Sequence, residues 1–435
     1  MAAADTMVLT DVSPVRAGTK AEASAFFWLT AFYVVYCTRP EDWIPGLFYI
    51  PLAKITAICA LWGLYKIGGL RSQVLRKLPI ESTYLLALIA TFYLSGFLSP
   101  VWRGGAVSHA IDFSKSYIVW LLTFLLVTNF NRFRRVVYIQ AASVAVIALI
   151  SYIKGHSLPR IQGVLGGIYS NPNDLAFAIV LSLPFCLAFL ITAKGMPRKL
   201  LWVCAMLMMG VTLVRTASRS GFIDLMISWP ICLWYFGVKG KRFYLVLVTA
   251  FVGIVILAVS GGTLKDRILA TAGQGNTFED KEAYGSFEAR KYLMVRALEG
   301  IEQYPVLGVG INNFITYSGI WHEVHMSYLQ IAVEGGIPAI TLYLLFFSRG
   351  FANLRKLRKM KLQGEPALFV GALHSSLIGF VVGALFSPEG YQFFPYFTVG
   401  YTSALLSIMQ QHPVTAAIPA RVDSYLAYLE TYASS

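Results

Sequence analysis

Apolar stretches of roughly 20 residues, the length a helix needs to cross a bilayer, recur along this chain with polar punctuation between them. They fall near 25–38, 48–68, 82–99, 115–128, 136–153 and 173–193 in the first half. In the second half they fall near 200–215, 221–237, 243–260, 325–348, 367–386 and 393–410. The expected fold class is an all-α polytopic membrane protein of about twelve transmembrane helices with a long, partly helical outer loop. Composition agrees: 57% of the 435 residues are hydrophobic and 13% are charged, too apolar a balance for a domain kept in water.

Charge orders these segments across the membrane. Every second connection is rich in Lys and Arg: Lys66 to Lys77, Arg132 to Arg135, Lys194 to Lys199, Lys239 to Arg242 and Arg349 to Lys361. Basic loops stay cytoplasmic, so these five define the cytoplasmic side of the membrane. An even count of spans puts both tails there: 1–24 at the N-terminus and 411–435 at the C-terminus. Residues 25–260 then carry the first nine helices, 261–324 form an outer loop, periplasmic or extracellular, and 325–410 carry the last three. The first apolar run begins only near Ala25, after Asp5, Asp11, Arg16, Lys20 and Glu22, so it reads as a retained anchor. Within the outer loop, Glu288 to Tyr304 places Tyr292, Val295, Leu298 and Ile301 on one helical face, as an amphipathic surface helix would.

The net charge of +14 follows from this topology and does not imply nucleic acid. Cys37, Cys59, Cys186, Cys204 and Cys232 show no ligand spacing and read as small buried hydrophobes. The chain has no internal repeat, which counts against a transporter built from inverted halves.

Three outward-facing segments carry groups able to do chemistry. In the first, Thr216 to Gly221, Arg215 and Arg219 stand four apart, able to share a helix face and to grip phosphate bidentately. The ordinary alternative is an Arg capping a helix end or reaching lipid headgroups. In the second, Arg290 lies on the surface helix ahead of the glycine turn between Tyr304 and Phe314; beside Lys291 and Arg296, its ordinary reading is a solvated face. The third is the run from His322 to Gly336, which places His325 at the first turn of a span. There the positive end of the helix dipole disfavours imidazolium and leaves a neutral ring able to accept a proton; a hydrogen-bonded interfacial histidine is the alternative. His322 and His325 are three apart and lack a third ligand, so no metal is expected. Glu334, nine residues on, is too far round the helix to orient His325 directly and is at most a supporting residue. Asn171, Pro172 and Asp174 read as a helix cap, with Asn171 and Asn173 supporting an outer-face helix start where phosphate also binds.

Taken together, Arg160-Ile-Gln-Gly163, Asn171-Pro-Asn-Asp174, Thr216 to Gly221, Arg290 with Pro305 to Phe314, and His325 to Gln330 with Glu334-Gly-Gly336 resemble the O-antigen ligase family of bacterial membrane glycosyltransferases. That superfamily also holds O-antigen polymerases and O-linked protein oligosaccharyltransferases, and the resemblance runs from about Arg160 to Tyr401. Met326 departs from it, since the family commonly carries Asn after the histidine. Thr38-Arg-Pro-Glu-Asp-Trp43 is similar to a subgroup of O-glycosylation ligases linked to exosortase loci. The resemblance implies an undecaprenyl-diphosphate-linked glycan donor, a lipid A-core acceptor for the ligase branch, no cofactor, and an inverting, metal-independent transfer in the periplasm. His325 is then the expected general base, and Arg219 and Arg290 stabilise the leaving diphosphate; Arg160 and Arg215 stand behind them. Polymerase and protein-glycosylating activities share these patterns. A lipid-linked glycan transporter is the rival of another class.

Overall fold

The computed structural model describes residues 20–155, 171–260, 278–320 and 322–411, together with 157, 160, 161, 163 and 169. The expected tails, apart from the ends of the first and last helices, and the part of the outer loop over 261–277 lie outside the described residues. So do Gln162 of the quoted motif and the side chains of Glu279, Asp280 and Glu282.

Among the described residues all regular structure is helical, the form in which a single segment satisfies its own backbone in lipid. Each expected apolar segment coincides with a helix. In chain order these are Lys20–Thr38, Leu52–Lys66, Ile80–Phe97, Arg103–Leu126, Phe130–Gly155, Pro172–Thr192, Met196–Arg215, Arg219–Leu233 with a π-turn to Val238, Tyr244–Ser260, Ser327–Lys359, Glu365–Gly383 and Phe393–Gln411. Among the described residues seven helices are long and apolar enough to cross a membrane. Lys20–Thr38, Leu52–Lys66, Arg103–Leu126, Tyr244–Ser260 and Phe393–Gln411 fall short of that length or apolarity.

Two helices form the centre. Pro172–Thr192 is buried without interruption from Leu175 to Phe189, and Phe393–Gln411 from Phe394 to Leu406. A helix apolar on all sides belongs in a core, and the others wrap these two. Polar side chains tie the bundle internally: Tyr401 donates to Gln140 Oε1 at 2.8 Å, and Asn353 and Ser403 both donate to the buried Glu81 Oε1, at 2.8 and 2.7 Å. Such bonds persist in a membrane because lipid offers no competing partner.

Three details differ from expectation, and a fourth adds to it. Helix Arg103–Leu126 begins twelve residues before the apolar run at 115, because its polar first half, with His109, Asp112 and Lys115, lines a cavity. The outer-loop helix runs from Phe278 to Gln303 but packs on Leu293, Ala297 and Gly300, leaving Tyr292, Val295 and Leu298 about half exposed. The close approach explains this: a Cβ at Gly300 would stand 2.6 Å from Val333 Cγ2, so small residues, not large apolar ones, define the packed face. Among the cysteines Cys37, Cys186 and Cys232 are buried as expected, whereas Cys59 is half-buried and Cys204 is exposed. Lastly, Arg39-Pro-Glu-Asp-Trp43 binds itself: Arg39 grips Asp42 through Nε and Nη2 at 2.9 and 3.1 Å, and Trp43 Nε1 donates to Thr38 O at 2.8 Å.

A broken helix positions the outer-loop residues. In a continuous helix Ile337 N–H would donate to Val333 O, and residue 338 to Glu334 O. Gly336, at φ +76°, leaves the helical conformation, and Pro338 has no N–H to give. Ile337 N–H turns to Pro305 O at 2.8 Å, while the freed carbonyls of Val333 and Glu334 accept from Val309 and Gly310 N–H at 2.9 and 3.0 Å. Glu334 O also accepts from Ser95 Oγ at 2.7 Å. The segment 305–310 is thus laced to the break backbone to backbone, and a Cβ at Gly308 would lie 2.5 Å from Glu334 C.

Candidate active site

The first group of predicted residues gathers at the 215–221 connection. Helix Met196–Arg215 ends there, Ala217 at φ +47° turns the chain, and Ser218 caps the next helix by accepting from Gly221 N–H at 3.1 Å. Arg215 and Arg219 therefore stand on two helices across a tight turn and do not share a helix face, contrary to the spacing argument. Arg160 Nε donates to Thr216 O at 3.1 Å, and Ile161 N–H donates to Arg215 O at 3.0 Å. From the other side Ser218 Oγ donates to Asn173 Oδ1 at 2.7 Å, while Asn171 caps its own helix by accepting from Asn173 N–H at 3.0 Å. Arg160, Asn171, Asn173, Arg215 and Arg219 are thus one cluster, three connections held together by backbone carbonyls and caps.

The second group pairs Arg290 with His325. His325 precedes the N-cap residue Met326 and lies outside the helix that starts at Ser327, not in its first turn. Met326 makes no side-chain cap bond, so the amide that Asn would supply is absent here. Burial, then the Arg290 charge, then His322 push the His325 imidazolium down to about 4. The neutral ring argued for the helix dipole is therefore produced by desolvation and a guanidinium. Among the described residues His325 Nδ1 is buried without a hydrogen-bond partner.

Glu334 does not serve His325. Fully buried, it accepts from Phe314 N–H at 3.4 Å and from the Tyr391 hydroxyl. It fixes the turn whose Asn312 amide meets His109 Nε2 at 3.0 Å, and whose Asn313 donates to Ser99 Oγ at 2.8 Å.

Tyr391, Asn312 and His109 face a cavity of about 410 Å³, which Asn171, Asp174 and Glu323 also line. Glu323, two residues before His325, thereby faces the helix start at 171–174 that holds the arginine cluster. Burial first, and then Asp174, raise the Glu323 carboxyl above its ordinary range. Glu389, hydrogen-bonded to Asp174, is raised well above its own by burial and by that neighbour. Sequence reasoning treated Asp174 as a cap and passed over Glu323, Glu389, Tyr391 and His109. Their signal was weak: single polar residues between or within apolar runs, on segments whose proximity only the fold reveals. Among the described residues no cluster of His, Cys, Asp and Glu has the makings of a metal site.

Fold and site together define a multi-pass helical membrane protein with arginines, a desolvated histidine and buried carboxyls gathered around the connections at one end of the bundle. Residues 204–344 match the family model described as O-antigen ligase. The matched region holds Arg215, Arg219, Arg290, His325 and Glu334; Arg160, Asn171 and Asn173 lie before it. No curated protein matches the chain. The family is one of O-antigen ligase and polymerase-type glycosyltransferases.

Proposed function

We propose that the chain is an O-antigen ligase that moves a glycan from undecaprenyl diphosphate to lipid A-core on the periplasmic face of the inner membrane. The observation that carries this reading is His325, a neutral imidazole with a buried, unengaged Nδ1 beside the Arg290 guanidinium. The acceptor hydroxyl oxygen attacks the anomeric carbon from the face opposite the diphosphate. The carbon–oxygen bond to the diphosphate breaks and its electron pair leaves with the phosphate, while the hydroxyl proton passes to His325 Nδ1. Arg219 and Arg290 bind the charge that develops on the diphosphate, with Arg160 and Arg215 behind them, in the electrophilic role a metal fills elsewhere. The polar cavity beside Glu323 offers carboxyl, amide and imidazole groups to a hydroxyl-rich ligand, and about 410 Å³ is in the usual range for a small-molecule site.

Donor binding also tunes the base. A diphosphate beside Arg290 offsets the charge that depresses His325, so the imidazole becomes a stronger base when its substrate is present.

His325→Ala is expected to abolish glycan transfer while the protein still inserts into the membrane, and normal attachment by that variant would overturn the general-base assignment. Deleting the gene in its host assigns the branch. Loss of long-chain lipopolysaccharide with accumulated full-length lipid-linked glycan supports the ligase; shortened glycan points to a polymerase, and unglycosylated protein to a protein oligosaccharyltransferase.

A further inference from the structure

The end of the bundle remote from His325 holds a second cavity, of about 730 Å³. Four cations line it: Lys239 and Arg242 from the link after the π-turn, and Arg358 and Lys361 from the end of helix Ser327–Lys359. Among the described residues none of the four forms an ion pair. The carboxylate in the lining, Glu365, already pairs with Arg134 at 3.4 Å.

Tyr235 is the platform between the cations. Lys239 Nζ lies 5.0 Å and Arg358 Cζ 5.9 Å from the centre of its ring. Its hydroxyl meets His374 Nδ1 at 3.0 Å, and its Cβ packs so close to Gly371 that an added methyl there would stand 2.9 Å away. The π-turn Trp234–Val238 that presents this ring is a rare conformation.

Basic loops on one side of a membrane protein follow from topology alone. That rule asks for a number of charges and does not ask four of them to converge on one recess. Helix Glu365–Gly383 adds its N-terminus to the same recess: Gly364 caps it with no side-chain bond, and a Cβ at Gly364 would meet nothing within 4 Å. The rest of the wall is apolar, with Ile191, Leu357, Leu362 and Leu368.

We propose that this cavity binds the phosphate of an anionic phospholipid, with Lys239, Arg242, Arg358 and Lys361 around the phosphate and the acyl chains along the apolar wall. A phosphate group is the chemistry these donors recognise, and the apolar wall is what selects a lipid over a free anion. The inference is independent of the glycan-transfer reading.

The test is native mass spectrometry of the full chain released from vesicles of phosphatidylglycerol or of phosphatidylethanolamine, with inorganic phosphate as a separate arm. Phosphatidylglycerol is expected to stay bound preferentially, and Arg242→Gln/Arg358→Gln is expected to lower its retention by about tenfold or more. Arg71→Gln/Arg76→Gln, which removes two exposed charges outside the recess, is expected to leave retention unchanged. Equal loss in the two double variants, or no preference between the lipids, overturns the site. Binding of inorganic phosphate without lipid retention overturns the lipid assignment. Unchanged elution and melting of the variants exclude misfolding as the cause of a loss.

Discussion

At the scale of single residues, His325 couples burial to chemistry. Its imidazolium is disfavoured first by desolvation and next by Arg290, so Arg290→Gln is expected to move its titration upward from about 4 while burial keeps it below the ordinary 6.5. Side-chain nuclear magnetic resonance of the labelled ring, followed against pH, reads this directly; an unmoved titration would remove Arg290 from the field of the base. Linkage gives a second expectation. A histidine depressed in the fold is neutral in both the folded and unfolded states at pH 7 and costs nothing there. As pH falls below 6.5 the unfolded chain takes up the proton and the fold does not, so stability declines down to about 4 and levels off below it. His325→Gln is expected to flatten that decline in melting temperature between those two pH values.

At the scale of elements, the break at Gly336 is the device that holds the outer turn. Gly336 sits at φ +76°, and a Cβ there would stand 2.3 Å from Val306 O. Gly336→Ala is expected to lose about 1–3 kcal/mol to backbone strain alone, and to release the segment that carries Asn312 toward His109. Pro338→Ala is milder: it adds one N–H that competes for Glu334 O, an acceptor already served by Gly310 and Ser95. Melting temperatures and transfer rates of the two variants check this order, and equal effects would mean that the lacing of 305–310 to the break does not matter. Here the limits of sequence are plain. The helices at the expected apolar segments were legible because lipid selects for hydropathy over a fixed length. The polar first half of Arg103–Leu126 was hidden because its polar residues face a cavity inside the protein. The lacing of 305–310 onto 333–337 was hidden for a different reason: glycines mark irregular backbone but do not say which distant carbonyl it will meet. The same holds at the site, where His325 and the arginines stood out as charged groups at helix ends, while Asp174, Glu323 and Glu389 become a group only when three distant segments meet.

At the scale of the whole molecule, function depends on which end of the bundle faces outward. Helix Arg219–Leu233 starts beside the arginine cluster and its π-turn leads into Lys239, while Ser327–Lys359 starts beside His325 and ends in Lys356, Arg358 and Lys359. The candidate site and the basic recess therefore lie at opposite ends of the same helices, roughly 30 Å apart for a 20-residue span. The proposed function needs the basic end in the cytoplasm, as the positive-inside rule expects, and His325 on the opposite side with the lipid-linked donor. A membrane-impermeant maleimide tests that assignment once the five native cysteines are replaced. A single cysteine at Glu302, exposed on the outer-loop helix, is expected to react in intact spheroplasts. One at Lys356, exposed near the end of its helix, is expected to react only after lysis. The reverse pattern would place His325 and Arg290 in the cytoplasm, and a periplasmic transfer reaction would then be impossible for this chain whatever the merits of its site chemistry.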